Sequence, residues 1–470
     1  MQGKVVGSIR EAIVLSGLRS GMTVSFHHHL RNGDYVLNLV MEQIAALGID
    51  HLTVHASSLF DIHAPLLDHI KSHVVTKIQT DYMSARLGRA ISEGAMEEPV
   101  EFRTHGGRPS AIETGAAPID VAFIAAPASD SMGNCSGKYG KSACGSLGYA
   151  FPDAMHAKKV VVITDNLVPY PLVGWSIPET YVDYVVAVDA IGDPAGIVSG
   201  TTQITRDPIG LMMASYAVRV IQHSGLLKDG FSFQTGAGGA SLAAAKFLKD
   251  VMVREQIRGS FGLGGITGYL VDMLREGCFE TLLDVQCFDL KAVESIRTDP
   301  RHMEISASHY ASPTARSSAV DHLDVVILGA TEVDTDFNVN VHTDSGGSIM
   351  GGSGGHSDTA AGAKLAMIIA PLFRARLPIV TDRVTCISTP GRDIDVLVTQ
   401  AGIAVNPRQP ELQDRLKQAG LPVVPIEELK TAAEKVTGIP TRPAHGNRAV
   451  AKVISRTGEL LDTIYNIPRR

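Results

Sequence analysis

A chain of 470 residues, 44% hydrophobic and 19% charged, has a globular composition with core enough for two domains; its net charge of −7 argues against a nucleic-acid surface. Five cysteines without a CxxC pair do not make a disulfide framework and read as reduced thiols of a cytoplasmic protein. No run approaches the about 18 apolar residues of a membrane span, and the opening MQGKVVGSIREAIVLSGL has no signal-peptide core.

Along the chain, Ile9 to Leu15 reads as a helix, and Ser16-Gly-Leu-Arg-Ser-Gly21 leads into a strand, Thr23 to Phe26. Three histidines, His27, His28 and His29, and then Arg31 follow that strand, and Asp34 to Leu47 is helix-like. The same order returns later: a helix from Leu211 to His223, Ser224-Gly-Leu-Leu-Lys-Asp-Gly230, a strand ending at Phe233, and a helix from Ala240 to Met252. One repeat of this length is no solenoid. It implies a duplicated unit and two similar domains, residues 1–225 and 226–470.

Apolar, β-branched strands are expected at 120–126, 159–164 and 183–189 in the first half. In the second half they are expected at 324–330, 377–381, 395–399 and 421–426. Their continuous rather than alternating apolarity implies burial on both faces, hence mainly parallel sheets covered by helices in an open α/β fold. Thr359 to Ala370 reads as a small-residue helix, and Arg448 to Ile467 as a closing hairpin about Thr457-Gly458.

Three glycine clusters lie at strand-to-helix junctions of the second half: Gln234 to Ala240, Phe261 to Gly268 and Ser345 to Asp358. Glycine lets backbone N–H groups approach a ligand, and such turns suit an anion or a developing oxyanion. The dinucleotide fingerprint fails because the third glycine after Gly262 and Gly264 falls one residue late, at Gly268. The phosphate loop fails because Cys135 stands where its first glycine belongs ahead of Gly140-Lys141-Ser142. Nicotinamide and nucleotide-hydrolysing chemistry are therefore set aside.

With two tandem α/β domains, Glu332-Val-Asp334 and Gly354-Gly-His-Ser-Asp358 before a small-residue helix, the chain resembles the CoA-transferase superfamily. Further motifs resemble the α subunit of citrate lyase over essentially the whole chain: Thr23 to His28, Gly145 to Tyr149, Gln234 to Leu242, Leu263 to Thr267, Leu283 to Gln286, Asp336 to Val341, Ser353 to Ala360 and Gly402 to Pro407. The resemblance implies a cytoplasmic citrate:acetyl-carrier-protein transferase that exchanges acetate for citrate on a thioester. It implies as partners the citrate lyase β subunit and an acyl carrier (γ) subunit bearing a CoA-derived arm, and a homo-oligomer within the complex. No cofactor is expected on this chain itself; the acyl thioester of CoA, or of the dephospho-CoA-derived arm, is a substrate. Transfer to a related acid such as citramalate, a non-catalytic scaffold and a sugar-phosphate isomerase are the alternatives.

Many CoA transferases form a covalent glutamyl thioester, but no carboxylate lies between Ser260 and Gly268, so a mixed anhydride of acetate and citrate is expected instead. Gly264, Gly265, Gly354 and Gly355 are then the expected oxyanion donors. His27, His28, Arg31 and His356 are candidate carboxylate ligands. His27 and His28 alternatively form part of a surface run, and His356 is alternatively structural. Asn338 and Asn340 are expected on one strand face, lining the pocket or satisfying a turn. Lys138 and Lys141, with Gly238 and Gly239, are assigned to the phosphates of the cofactor arm. Ser357 and Asp358 are expected to cap the helix at Thr359, and Glu332, Asp334 and Asp336 to be structural. Cys135 and Cys144 have no histidine placed beside them by sequence and are not expected to be nucleophiles. The histidine run lacks a cooperating Cys or carboxylate at ligand spacing, so no metal is expected.

Overall fold

The architecture is that of a computed structural model, which describes residues 3–198, 204–236, 238–441 and 444–468. A ten-stranded sheet runs in the order Val5–Val6, Tyr184–Ala187, Lys159–Thr164, Val121–Ala125, Thr23–Phe26, Leu52–Ala56, Val75–Thr80, Val100–Phe102, Ala449–Ile454, Leu460–Tyr465. An eight-stranded sheet runs His302–Glu304, Phe279–Cys287, Gly259–Ile266, Ser232–Thr235, Val325–Leu328, Leu365–Ile369, Val396–Thr399, Gly402–Val405. Within each sheet all neighbours are parallel except the terminal pair, which is antiparallel. Central strands such as Val121–Ala125 and Val325–Leu328 are buried at every position, as their unbroken apolarity requires.

Both sheets are wound alike. From Thr23–Phe26 the chain lays strands on one side and then returns to lay Val121–Ala125 on the other; from Ser232–Thr235 it does the same, returning to Val325–Leu328. The duplicated glycines mark the same backbone in each half. Gly17 and Gly225 have φ 73° and 83°, and Gly21 and Gly230 have φ 82° and 84°, left-handed turns that glycine enters without steric cost. Each winding leaves a crevice where the strand order reverses, the place where open α/β sheets bind ligands.

Four details differ from the sequence expectation. Helix Pro208–His223 packs on helix Gly239–Glu255 of the second unit, and the hairpin Ala449–Tyr465 completes the first sheet. A division at 225/226 therefore cuts across both associations. The helix expected over 359–370 is only His356–Gly362, and Leu365–Ile369 is a fully buried central strand. That apolar run has no polar side to turn outward, and a Cβ at Gly362 would lie 2.5 Å from the Val320 carbonyl, where the helix closes on its neighbour. Residues 421–426 make only a bridge from Val423 to Ile403, since Pro422 and Pro425 lack amide donors.

Among the described residues no helix is long and apolar enough to cross a membrane.

Candidate functional site

The chain leaves strand Thr23–Phe26 directly into the crevice beside Val121–Ala125, so the three histidines fill that crevice. His27 Nε2 accepts from the Ala125 amide at 3.0 Å, His29 Nε2 accepts from the Tyr149 amide at 3.2 Å, and the two Nδ1 atoms touch each other. His28 bonds Ser57 Oγ through Nδ1 at 2.7 Å and Gln286 Oε1 through Nε2 at 3.0 Å, and Gln286 returns a bond to the His28 carbonyl. All three rings are buried. Burial lowers the His27 pKa to about 4 and holds those of His28 and His29 well below the ordinary value. His27 and His28, expected to pair with carboxylates, instead have both nitrogens engaged within the protein. They pin the strand end and, through Gln286, tie the two sheets together.

Arg31, two residues on, is different. Its backbone is left-handed at φ 52°, which turns the side chain back between two aromatic rings. The guanidinium carbon lies 5.4 Å from the Phe60 ring centre and 4.9 Å from that of Phe288, one ring from each domain. The side chain is partly buried and Nη1, wholly so, has no hydrogen-bond partner. No carboxylate pairs with it among the described residues. Burial pulls its pKa below the ordinary arginine value, with Tyr82 and Tyr149 opposing. A partly buried cation with no carboxylate partner in the protein favours an anion beside it.

The glycine clusters converge beside it. Pairing of Gly259–Ile266 with Ser232–Thr235 stops at Gly262, while pairing with Phe279–Cys287 continues to Ile266, with a bulge between Gly264 and Gly265. Gly264 is left-handed (φ 103°), and a Cβ there would meet the Gln234 amide at 2.7 Å. A Cβ at Gly265 would lie 2.2 Å from the Phe288 ring, so this glycine makes room for the ring that stacks on Arg31. Gln234 donates to Tyr310 Oη at 2.9 Å, and a Cβ at Gly355 would strike that oxygen at 2.3 Å. Residues from all three clusters thus meet around Gln234 and Tyr310.

Of the two glycines in the last turn, Gly354 is not a free donor, because its amide bonds the Asp81 carbonyl at 3.2 Å. Gly355, at the head of helix His356–Gly362, makes no amide hydrogen bond among the described residues. Asp358 does not cap that helix as expected. It reaches the first domain, accepting from Thr104 Oγ1 at 2.5 Å and the Gly106 amide at 2.9 Å, and burial raises its pKa to about 6.

Between these contacts lies His105, which sequence reasoning missed. Its amide donates to the Gly354 carbonyl at 2.9 Å and its Nδ1 lies 2.8 Å from Asp81 Oδ2. A Thr-His-Gly-Gly run opening helix Gly107–Glu113 was the available signal; the partner, 24 residues earlier, was not.

The other sequence candidates are used elsewhere. His356 bonds Thr389 Oγ1 at 2.8 Å and the Gly329 carbonyl at 2.9 Å, which makes it a structural clasp rather than a substrate ligand; burial lowers its pKa to about 4. Asn338 links Asp334 to the Gly391 amide, and Asn340 links Glu332 to the turn at Thr343, so both satisfy turns. Lys138 pairs with Glu304 at 3.0 Å, and Lys141, which is exposed, bonds the Asp189 carbonyl at 2.5 Å. Gly238 precedes helix Gly239–Glu255, and a Cβ there meets nothing nearer than Ser241 Oγ at 3.9 Å, an open helix start. Burial pushes the Cys135 and Cys144 thiols up, which removes them as nucleophiles. One buried group, Asp284, Cys287 and His302, has metal-ligand geometry, yet Asp284 Oδ2 already bonds both His302 Nε2 (2.9 Å) and Cys287 Sγ (3.0 Å).

Comparison with known proteins agrees over the whole chain. The family profile for the citrate lyase alpha subunit (CitF) matches residues 2–467. The citrate lyase alpha chain of Klebsiella pneumoniae is 49% identical over 99% of this chain and 92% of its own length, and that of Escherichia coli 48% over 99% and 91%. A crystallised citrate lyase alpha subunit of Streptococcus mutans, in complex with citrate, superimposes with a TM-score of 0.98 at 49% identity, covering 100% of this chain and 92% of that one. A malonate decarboxylase alpha subunit from Acinetobacter baumannii shares the fold, with a TM-score of 0.69 at 18% identity over 93% of each chain.

Proposed function

The chain belongs to the citrate lyase alpha subunit family, and from that premise we propose that it is the transferase of the complex, exchanging acetate for citrate on a carrier thioester. The observation that carries this reading is Arg31, a partly buried guanidinium held between Phe60 and Phe288 without a counter-anion among the described residues. A di- or tricarboxylate supplies that charge, and the Streptococcus relative was crystallised with citrate.

A citrate carboxylate held by Arg31 attacks the acetyl thioester carbonyl; the C–S bond breaks and a citrate–acetate anhydride remains. The thiolate then attacks the citryl carbonyl and acetate departs, carrying the oxygen that bridged the anhydride. Each attack passes through a tetrahedral oxyanion, for which the unengaged Gly355 amide is the available donor in the last turn. Gly264 and Gly265 shape the facing wall. No enzyme acyl group is needed, and Glu332 is poorly placed to form one. Its carboxylate accepts from the Thr385 amide (2.7 Å), Thr385 Oγ1 (3.1 Å) and Asn340 Nδ2 (2.9 Å).

The thioester is that of CoA or of the dephospho-CoA-derived arm on a carrier subunit. Cleavage of the citryl product falls to a β subunit, in a cytoplasmic complex. Incubating the purified chain with acetyl-CoA and citrate should yield citryl-CoA and acetate by mass spectrometry. Exchange with citramalate but not citrate would replace the substrate assignment, and no exchange with either would leave the scaffold alternative.

A further inference from the structure

Of the site histidines, His27, His28 and His29 have both ring nitrogens engaged, and so does His356. His105 has one free: Nδ1 lies against Asp81, while Nε2 makes no hydrogen bond among the described residues. The side chain is 13% exposed, whereas Asp81 is wholly buried and its Oδ1 has no partner. A Cβ at Gly354 would stand only 3.2 Å from His105 Nε2, so the absence of a side chain there leaves the nitrogen uncovered beside the glycine turn. The Tyr149 and His28 rings, centred 4.5 Å and 5.7 Å away, pack beside it.

A carboxylate behind Nδ1 fixes the tautomer and steadies the ring when it is protonated, which leaves Nε2 to exchange a proton with a reactant. The reaction read from this site has a group that needs one. A departing alkyl thiolate is the conjugate base of a weak acid (a cysteine thiol has a pKa of about 8.5), and in a dry cleft its charge is poorly solvated.

We propose that His105 is a catalytic acid and base for the thiol of the carrier arm, with Asp81 as its positioning residue; this rests on the transferase reading above. As the citrate carboxylate forms its C–O bond and the acetyl C–S bond breaks, the proton on Nε2 passes to sulfur. In the second half the thiol returns that proton to Nε2 as its sulfur attacks the citryl carbonyl, and acetate leaves as the anion. The dyad ends in the state in which it began, and no external acid is consumed. The charged or titratable groups facing the ring are Asp81, His28, Tyr149 and Asp358, with Arg103 and Arg108 behind Asp81.

The test compares wild type, His105→Asn and Asp81→Asn with citrate and two acetyl donors, acetyl-CoA and the acetyl thioester of an aromatic thiol, whose thiolate leaves without a proton. His105→Asn should lower kcat with acetyl-CoA by about a hundredfold or more. It should flatten the pH profile, leave citrate binding by calorimetry within about twofold, and recover most of its loss with the aromatic thioester. Asp81→Asn should lower kcat in the same direction. If His105→Asn keeps the wild-type kcat and pH profile, or loses activity equally with both donors, the acid–base role is overturned. If the wild type itself makes no citryl thioester, the transferase reading fails instead, and the two failures are distinguishable.

Discussion

Replacing Arg31 by Gln removes the unpaired charge while keeping a side chain of similar reach. A hydrogen bond from a charged donor to a carboxylate is worth about 1.5–3 kcal/mol, and each 1.4 kcal/mol is about tenfold in affinity. Citrate should therefore bind roughly ten- to a hundredfold more weakly. Stability without citrate should move by less than about 1 kcal/mol, because two opposing effects are of similar size. Loss of the contacts with Phe60 and Phe288 costs about 0.5–2 kcal/mol, and relief from holding a desolvated guanidinium without a partner offsets it. Ligand linkage separates the effects: citrate at about a hundred times its Kd should stabilise wild type by about 2.7 kcal/mol, and the same concentration should stabilise the variant by only about 0.4–1.4 kcal/mol. Calorimetric titration and urea melts with and without citrate measure both. An unchanged Kd, or a loss of several kcal/mol of stability in the absence of citrate, would refute the anion-site reasoning.

Gly355→Ala should displace the buried Tyr310 hydroxyl, lowering stability by about 1–3 kcal/mol and turnover by about a hundredfold. Tyr310→Phe in the Gly355→Ala background should restore part of the stability, which urea melts of the double-mutant cycle will show. Acid should destabilise the fold below pH 6.5: burial lowers the pKa of His27 and His356 to about 4 and of His342 to about 3, so the unfolded chain binds more protons there. The loss is on the order of 1.4 kcal/mol per pH unit for each uncompensated histidine; Asp358, raised to about 6, opposes it between the ordinary aspartate pKa and 6. Denaturant midpoints flat between pH 7 and 5 would contradict this. Treatment with acetyl-CoA followed by borohydride or hydroxylamine should leave every glutamate unmodified and activity intact, and a modified Glu332 in the peptide mass spectrum would restore a covalent mechanism.

The winding of both domains was legible because its signals are local: Gly17 and Gly225, Gly21 and Gly230 mark matching turns, and the strands announce themselves by unbroken apolarity. Residues 359–370 misled because small and aliphatic residues suit a buried strand as well as a helix, and only pairing with strands on both sides decides between them. In the site, position was readable but orientation was not. The histidine run does end a strand at a crevice, yet what occupies His28 is Gln286, 258 residues away. Arg31 kept its charge free because its neighbours from both domains are aromatic rather than acidic, a fact of tertiary packing. The Gly354 turn was identifiable, but the use of its amide by the Asp81 carbonyl, and the pairing of Asp81 with His105, appear only when the domains meet.

The central claim is that a citrate carboxylate itself attacks the acetyl thioester. Citrate carrying heavy oxygen in its carboxylates, reacted with acetyl-CoA in a single turnover and analysed by mass spectrometry, tests this most directly. The bridging oxygen of the anhydride comes from citrate and leaves with acetate, so the released acetate should carry one labelled oxygen as citryl-CoA appears. Citryl-CoA formed with unlabelled acetate in the first turnover would contradict the account and require an oxygen supplied by the enzyme.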